Sequence, residues 1–510
     1  MLIKLPSVAI LGLKTVGVEV EINIASKSFP GFSIVGLPNK AIDEAKERVR
    51  TALVNSSVEF PQKRITVNLA PADLPKEGSC YDLPIALGIV SLETGLKLPE
   101  KTLFFGELGL DGQLRHTKGA FLAALWAREQ GIKDLFVPKP SAKEAVVVEG
   151  VRVYPVESLS QLILYFYGQE KIQALSNRTR QKLVHLGGQP EPEFDFADIL
   201  GQEQAKRAAE IAAAGGHNLF LEGVPGAGKT MIARALPGIL PPLTQNEALE
   251  VTKIYSVAGK IPPGEGLIQT RPFRSPHHTI SRVGLIGGGS RPMPGEISLA
   301  HRGVLFLDEL AEFPRSALEA LRQPLEDGQV TISRAIGQMT FPAQFMLVAA
   351  ANPCPCGFLG HPTKECRCSP REIARYRRKL SGPLLDRIDL YVNVPPVETR
   401  KLTADDKARK FLESSAQIQA RVVAAREKQT KRFQDLPIET NAEMNNKLIR
   451  QFCPLTAEAE TLLKQAISQF DLSARGYFRV IKVARTIADL SGEEKISAAA
   501  IAEALQYRKK

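Results

Sequence analysis

The chain has 510 residues, enough for two or three domains, and its composition of 44% hydrophobic and 24% charged residues is typical of a globular protein. No apolar run approaches the roughly 18–20 residues that span a bilayer, and the apolar N-terminal stretch lacks a signal-peptide cleavage pattern, so we expect a cytoplasmic protein that makes no membrane contact. The net charge of +11 suits an anionic polymer such as nucleic acid.

Residues 1–167 are predicted to form an α+β domain. Segments with the period of a strand or of one helix face recur at residues 18–24, 42–53 and 64–69. Asp111-Gly112, between residues 103–108 and 113–116, is a tight-turn signal and predicts a hairpin.

Three further segments differ in pattern. Residues 168–198 are mostly polar and are interpreted as a linker. Residues 199–400 alternate strand and helix signals, as an α/β domain does, and residues 401–510 have an almost wholly helical pattern. The sequence therefore predicts a multidomain protein with α+β, α/β and all-α parts in that order.

The most specific motif is a phosphate-binding loop. It comprises Gly223, Val224, Pro225, Gly226, Ala227, Gly228, Lys229 and Thr230, between a short apolar strand and a helix signal. Strand, G-x-x-x-x-G-K-[ST] and helix together predict a site in which backbone N–H groups hold the phosphates of ATP. We expect Lys229 to reach the β- and γ-phosphates and Thr230 to bind Mg²⁺.

Polar residues also follow two further apolar strands. Asp308 and Glu309 come directly after residues 304–307, and Asn352 comes directly after residues 345–351. We expect Asp308 to hold the magnesium shell, Glu309 to polarise the attacking water, and the Asn352 amide to orient that water near the γ-phosphate.

The order of these motifs resembles an AAA+ ATPase module, with Asn352 as its sensor 1. Residues 381–389 resemble the arginine-finger segment of the magnesium-chelatase and replicative-helicase branch, which implies that Arg387 acts on the ATP of a neighbouring subunit. Residues 473–476 resemble sensor 2 and so implicate Arg475. The resemblance implies a ring of identical subunits, usually a hexamer.

Residues 252–302, between the phosphate loop and the Asp308 strand, are similar to the helix-2 insertion of the magnesium-chelatase-like clade. Over nearly its whole length, including residues 71–78, 82–86 and 354–357, the chain resembles the ComM/YifB family. That resemblance implies a Lon-protease-like N-terminal domain, an AAA+ module and a helical lid, and a role in branch migration of DNA during natural transformation.

Four of the six cysteines fall in the loop at residues 353–369: Cys354, Cys356, Cys366 and Cys368. Two C-x-C pairs can supply four thiolates to a tetrahedral, structural Zn²⁺, with His361 as a substitute ligand. The alternative is a loop with four reduced thiols.

The Lon resemblance raises the question of proteolysis. Lon-type chemistry needs a serine activated by a lysine. Here Cys80 stands at the nucleophile position, Ser79 lies one residue early, and Lys118 lies about three residues from the expected spacing. These departures favour a domain that is not proteolytic.

Two basic segments, residues 361–380 and residues 400–432, are candidates for salt-sensitive, sequence-independent binding of DNA. The alternative is solvated helix faces. The arginines of the insertion, Arg271, Arg274 and Arg282, are further candidates for DNA contact. Tyr376 and Phe273 suit either base stacking or core packing.

The sequence thus predicts an ATP-hydrolysing, ring-forming motor that acts on single-stranded or branched DNA. Two alternatives stay open, a metal-insertion motor like the magnesium-chelatase ATPase subunit and a protein-remodelling ATPase.

Overall fold

The computed structural model describes residues 2–25, 29–35, 40–72, 74, 76, 78–185, 193–262, 265–289, 292–334, 337–380, 382–396 and 412–508. Residues 186–192 of the predicted linker and residues 400–411 of the second basic segment lie outside these ranges. None of the helices within the described ranges has the length and apolar character that a bilayer-spanning segment needs.

The N-terminal domain begins with a four-stranded sheet. Its elements are β1 (Leu2–Leu11), β2 (Lys14–Ala25), β3 (Gly31–Val35), α1 (Lys40–Asn55), β4 (Arg64–Ala70) and α2 (Asp82–Thr94). The strand order is β1-β2-β4-β3, with β1 and β2 forming an antiparallel hairpin and β3 pairing parallel to β4. The strand and helix predictions at residues 18–24, 42–53 and 64–69 are confirmed.

A second, three-stranded parallel sheet follows. This part contains β5 (Thr102–Phe104), β6 (Glu107–Leu108), β7 (Leu114–Arg115), α3 (Ala120–Glu129), β8 (Asp134–Pro138), α4 (Ala142–Val146), β9 (Arg152–Val156) and α5 (Leu159–Phe166). The sheet order is β5-β8-β9. The predicted hairpin is therefore shorter than expected, because only β6 and β7 pair across the turn, while the fully buried β5 pairs with β8.

The predicted linker contains a helix, α6 (Asn177–His185). Leu175 and Leu183 pack against the N-terminal core, and Gln269 donates a hydrogen bond to the Leu183 carbonyl at 3.1 Å. The mostly polar sequence of this segment did not predict a helix. The helix is stabilised by the packing of these two leucines against the N-terminal core.

The central domain is built on a five-stranded parallel sheet. Its elements are α7 (Glu203–Gly215), β10 (Leu219–Gly223), α8 (Lys229–Ala235), α9 (Gln245–Ala258), β11 (Phe273–Arg274), α10 (Arg282–Ile286), β12 (Gly287–Gly288), β13 (Met293–Pro294), α11 (Glu296–Leu299), β14 (Val304–Leu307), α12 (Arg315–Ala320), α13 (Arg322–Asp327), β15 (Gln329–Arg334), β16 (Gly337–Pro342), β17 (Met346–Ala351), α14 (Pro370–Lys379), α15 (Gly382–Leu385) and β18 (Leu390–Val394). The strand order β11-β14-β17-β10-β18 places β10 beside β17, which ends just before Asn352, and places β14, which ends just before Asp308, on the far side of β17.

The helix α9, which leads into the insertion, docks on the N-terminal domain. A capping box between Thr244 and Glu247 starts the helix, and Ala248 joins the N-terminal hydrophobic core. Near its end, the Ser256 hydroxyl donates to the buried Glu144 carboxylate of α4 at 2.7 Å. The N-terminal domain and the central domain therefore share a core at this helix.

The C-terminal region is helical, as predicted. It contains α16 (Ser415–Arg432), α17 (Asn446–Phe452), α18 (Ala457–Phe470), α19 (Ala474–Ser491) and α20 (Ala498–Gln506). A buried carboxylate, Asp489, accepts from Arg432 at 2.5 Å and from Arg485 at 3.0 Å, and so joins α16 to α19. The Asp489 carboxylate is buried, and its arginine partners offset the cost of removing its charge from water.

Candidate functional site

The phosphate loop leaves the carboxyl end of β10 and enters α8 at Lys229. Gly226 and Gly228 have φ angles of +78° and +89°, which L-residues with side chains rarely adopt. A Cβ at either position would meet no heavy atom within 4 Å, so both glycines face open space. The loop therefore has the curled backbone and the uncovered concave side that a phosphate chain needs.

The predicted lysine and asparagine lie together in this site. The Lys229 ammonium donates to the carbonyls of Gly223 at 2.6 Å and Val224 at 2.9 Å, and to Asn352 Oδ1 at 3.2 Å. Burial lowers the pKa of Lys229. The structure thus brings Asn352, at the end of β17, to the phosphate loop at the end of the adjacent β10.

The predicted magnesium ligands also meet. Thr230 Oγ1 donates to Asp308 Oδ2 at 2.8 Å. A hydroxyl and a carboxylate oxygen at this separation can both enter the coordination shell of one Mg²⁺, which binds oxygen ligands at about 2.0–2.1 Å. These two residues, which are 78 positions apart in sequence, fit the metal that accompanies a nucleotide in such sites.

Glu309 occupies a constrained position beside them. Its backbone φ is +52°, and its N–H donates to Asp308 Oδ1 at 2.9 Å. The Glu309 carboxylate lies 3.5 Å from His278 Nδ1 of the insertion. No sequence motif indicates a role for His278, which lies a few residues after β11, the strand next to β14.

Arg387 lies at the opposite end of the sheet. Its carbonyl accepts from Asn218 Nδ2 at 2.9 Å, and Asn218 immediately precedes β10, whereas the phosphate loop follows β10. A five-residue strand spans about 16 Å, so the Arg387 backbone lies about one strand length from the phosphate loop of the same chain. Its guanidinium donates to Glu326 on α13.

Arg475 lies on the same side as Arg387. Both line a cleft of about 290 Å³ that also includes Glu326, Arg479 and Lys482. Arg475 is exposed at the first turn of α19. The two predicted arginines are thus grouped with each other and separated from the phosphate loop of the same chain.

The four cysteines of the loop after Asn352 converge. Their sulfur atoms all lie within 4.8 Å of one another, with Cys354 Sγ 3.4 Å from Cys356 Sγ and 3.6 Å from Cys366 Sγ. Four thiolates at about 2.3 Å around a tetrahedral Zn²⁺ would be about 3.8 Å apart. The four residues therefore fit a zinc ion in number, chemistry and spacing.

Backbone N–H groups support the sulfurs. The N–H of Leu359 points at Cys354 Sγ at 3.3 Å, and the N–H of Cys356 points at Cys368 Sγ at 3.4 Å. Backbone hydrogen bonds lower the pKa of Cys356 to about 6, which favours the thiolate. His361 is not among the ligand atoms that converge here, and its Nδ1 accepts from the N–H groups of Thr363 and Lys364.

The candidate protease site does not have an accessible thiol. Cys80 is buried in the N-terminal core, and burial raises its pKa to about 12. Ser79 donates to the Glu107 carboxylate, and the Lys118 stem lies against Gly259 at the end of α9. Ser79, Cys80 and Lys118 line one cavity of about 360 Å³, and the absence of proteolysis stays a prediction.

The first basic segment forms an exposed cationic surface. Its seven basic residues are all exposed: Lys364, Arg367, Arg371, Arg375, Arg377, Arg378 and Lys379. The helix that carries most of them, α14, starts with a capping box between Ser369 and Glu372. Tyr376 on this helix is buried, so the structure places it in the core and not on a base.

Most of the other candidate DNA contacts are engaged within the protein. Arg271 pairs with Glu247 at 2.9 Å, and Arg274 pairs with Glu296 at 2.5 Å, whereas Arg282 is exposed on α10. Phe273 packs against Phe306 and the core. In the described part of the second basic segment, four residues bind protein groups: Arg421, Arg426, Lys428 and Arg432. These four basic side chains are therefore held by contacts within the protein, which neither the DNA interface nor the solvated helix face predicted, whereas Phe273 follows its core-packing alternative.

Three family sequence models match the chain in order. Those described as "Subunit ChlI of Mg-chelatase", "Magnesium chelatase, subunit ChlI" and "Magnesium chelatase, subunit ChlI C-terminal" match residues 18–141, 195–402 and 412–508. The chain is 44% identical to competence protein ComM of Haemophilus influenzae, over 98% of this chain and 96% of that protein.

Other relatives extend this pattern. The uncharacterized protein YifB of Escherichia coli is 43% identical over the same shares of the two chains. The magnesium-chelatase 67 kDa subunit of Chlorobaculum tepidum is 28% identical over 31% of this chain and 23% of that protein. The similarity to the first two therefore covers all the domains, and the similarity to the third covers one part.

Proposed function

Because the chain belongs to the ComM/YifB family of magnesium-chelatase-like proteins, we propose that it is an AAA+ ATPase that moves DNA, driving branch migration or unwinding of forked DNA during natural transformation or recombination. The main observation in support of ATP hydrolysis is that Lys229, Thr230, Asp308 and Asn352 lie together around one open phosphate loop. The proposal that the substrate is DNA is supported by the exposed basic surface of α14 and by the similarity to a competence protein.

Each residue of the site has a distinct role in this proposal. Lys229 turns from the loop carbonyls to the β- and γ-phosphates, which replace its hydrogen-bond acceptors. Thr230 and Asp308 would hold the Mg²⁺ that accompanies ATP, and the ion would offset the negative charge of the phosphates. Glu309 accepts a proton from the attacking water, and Asn352 orients that water.

The site is completed by a second subunit. Arg387 and Arg475 lie together about one strand length from their own phosphate loop, so the nucleotide they serve belongs to a neighbour. An arginine that enters from another subunit stabilises the charge on the transferring phosphoryl group. Identical subunits that contact each other head to tail form a ring when the rotation between them closes, and we propose a closed hexamer.

We propose in addition that Cys354, Cys356, Cys366 and Cys368 hold a structural Zn²⁺. The support is the mutual spacing of the four sulfurs and the N–H groups directed at two of them. Metal analysis of the purified protein tests this, with one zinc per chain expected in the wild type and none in Cys366→Ser. Zinc-free wild-type protein purified under reducing conditions would contradict the assignment.

One experiment separates the DNA motor from its alternatives. The rate of ATP hydrolysis is measured without DNA and with single-stranded, duplex and forked DNA, together with strand displacement on the forked substrate. We expect stimulation that is largest with the forked DNA. The family descriptions favour a metal-insertion motor as the second candidate; absence of DNA binding at low salt, with no stimulation, would support it or a protein-remodelling ATPase.

A further inference from the structure

The cysteine loop and the phosphate loop are in direct contact. Gly357, which follows the second cysteine of the cluster, has a φ of +82°, and a Cβ built there would lie 2.6 Å from Pro225 Cγ and 4.0 Å from Asn352 Cγ. Pro225 is the third residue of the phosphate loop. The backbone of Gly357 therefore lies against Pro225 of the phosphate loop, with no room for a side chain there.

The segment that makes this contact depends on the cysteines for its shape. Between the end of β17 and the start of α14 there is no helix or strand among its described residues. Its turns are fixed by the Gly357 N–H, which donates to the Cys354 carbonyl at 3.0 Å, and by the N–H groups that point at sulfur. A metal that joins residues 354–356 to residues 366–368 closes this loop and removes most of its conformational freedom.

The same loop meets the nucleotide site at a second point. It starts at Asn352, whose amide oxygen lies 3.2 Å from Lys229 Nζ. The phosphate loop is thus contacted through Pro225 on one side and Lys229 on the other by a single segment whose shape four thiolates determine.

From these contacts we infer that the metal-binding loop sets the affinity of the protein for nucleotide, because it holds the phosphate loop in its open, curled shape through Gly357 and Pro225. The inference rests on the proposed ATPase and zinc assignments. Loss of the metal releases Gly357 from Pro225, and the phosphate loop then has to be ordered by the nucleotide itself, which weakens binding.

The test compares two alanine substitutions in the same loop. Gly357→Ala places a methyl group against Pro225, whereas Gly360→Ala, at a φ of +78°, places it in space with no heavy atom within 4 Å. Both substitutions lose the same backbone freedom, so the difference between them reports the contact. The dissociation constant of a fluorescent ATP analogue, zinc content and thermal unfolding are measured for each variant.

We expect Gly357→Ala to keep its zinc and to bind the analogue about tenfold more weakly than Gly360→Ala. In a Pro225→Ala background, where the opposing ring carbons are removed, Gly357→Ala should weaken binding by less than about twofold. Cys366→Ser should lose zinc and bind as weakly as Gly357→Ala.

Equal affinities for Gly357→Ala and Gly360→Ala, or a zinc-free Cys366→Ser that binds like the wild type, would overturn the inference. Wild-type protein that binds no nucleotide would instead contradict the proposed ATPase, and zinc-free wild type would contradict the metal assignment. Unchanged far-ultraviolet circular dichroism in each variant shows that the comparison is made on folded protein.

Discussion

Lys229 Nζ lies 3.2 Å from Asn352 Oδ1, although the two residues are 123 positions apart in sequence. The contact exists because β10 and β17 are adjacent and parallel, so that their carboxyl ends share one edge of the sheet. The phosphate loop and Asn352 therefore belong to one site.

We expect Asn352→Ala to lower kcat for ATP hydrolysis by roughly 10–1000-fold, as the loss of one positioned polar group does in other active sites. Nucleotide affinity should change by less than about threefold, because Lys229 and the loop N–H groups provide the binding. Steady-state kinetics and the binding of a fluorescent ATP analogue measure the two effects. A loss confined to affinity would show that Asn352 only supports the loop.

Glu309→Gln is expected to bind ATP and to hydrolyse it at least about 100-fold more slowly, because an amide cannot accept the proton of the attacking water. The matched control is Glu312→Gln, one turn further on, where the carboxylate pairs with Lys379 at 3.3 Å at the surface. Single-turnover hydrolysis should distinguish the two. If Glu309→Gln hydrolysed ATP at the wild-type rate, Glu309 would not be the residue that accepts the proton of the attacking water.

Arg387→Ala should reduce ATP hydrolysis by roughly 100-fold or more. The stronger test mixes this variant with Lys229→Ala, which lacks a working nucleotide site but keeps its arginine. If Arg387 serves a neighbouring subunit, the mixture regains hydrolysis that neither variant shows alone, since some interfaces then combine an intact loop with an intact arginine. No recovery after confirmed subunit exchange would argue for action within one subunit.

The interface between the N-terminal domain and α9 should depend on pH. Burial raises the pKa of the Glu144 carboxyl from 4.5 to about 7. Between these values the folded protein holds a proton that the unfolded chain has released, so the contribution of Glu144 to stability is complete below about pH 4.5 and is lost as the pH rises through about 7.

Glu144→Gln keeps the neutral form and should therefore raise the thermal midpoint at pH 8 and change it little at pH 4.5. The gain corresponds to at most roughly 3 kcal/mol, from about 1.36 kcal/mol for each unit of pKa difference. Scanning calorimetry at the two pH values measures it, with the exposed Glu129→Gln as the control. A midpoint shift of the same size at both pH values would point to packing instead of ionisation.

The cationic surface of α14 should bind DNA through phosphates. The double substitution Arg375→Glu, Arg378→Glu is expected to weaken DNA binding at low salt by at least about tenfold and to flatten the dependence of affinity on salt, without sequence preference. Lys464→Glu with Lys495→Glu makes the same change of charge on exposed residues of the C-terminal region. Fluorescence anisotropy at several salt concentrations measures both, and equal losses would indicate a general charge effect.

The features that consist of consecutive residues were the easiest to predict from the sequence. The phosphate loop and the Asp308-Glu309 strand are local, because a Gly-rich turn between a strand and a helix can be recognised from a few positions. The all-α character of residues 412–508 was likewise apparent from composition and period. By contrast, α6 in the predicted linker depends on contacts of Leu175 and Leu183 with distant residues, and its polar composition hid them.

The use of each arginine could not be predicted from the sequence. Arg271, Arg274 and Arg421 contribute the same positive charge to the sequence as the arginines of α14. In the structure, however, they form ion pairs with Glu247, Glu296 and Glu210. Whether a basic side chain is available to DNA depends on which carboxylate the fold places beside it, and such pairs join residues far apart in the chain.

The sequence by itself determined the nucleotide chemistry, since the residue types of the phosphate loop and of Asp308 and Glu309 are local and specific. Only the tertiary structure decided how these parts relate. Parallel strand order brings Asn352 to Lys229 and carries Arg387 to the far end of the sheet, and the chain path sets Gly357 against Pro225. The reason is physical: motif chemistry is set by neighbouring residues, whereas distances between motifs are set by packing and strand register across the whole domain.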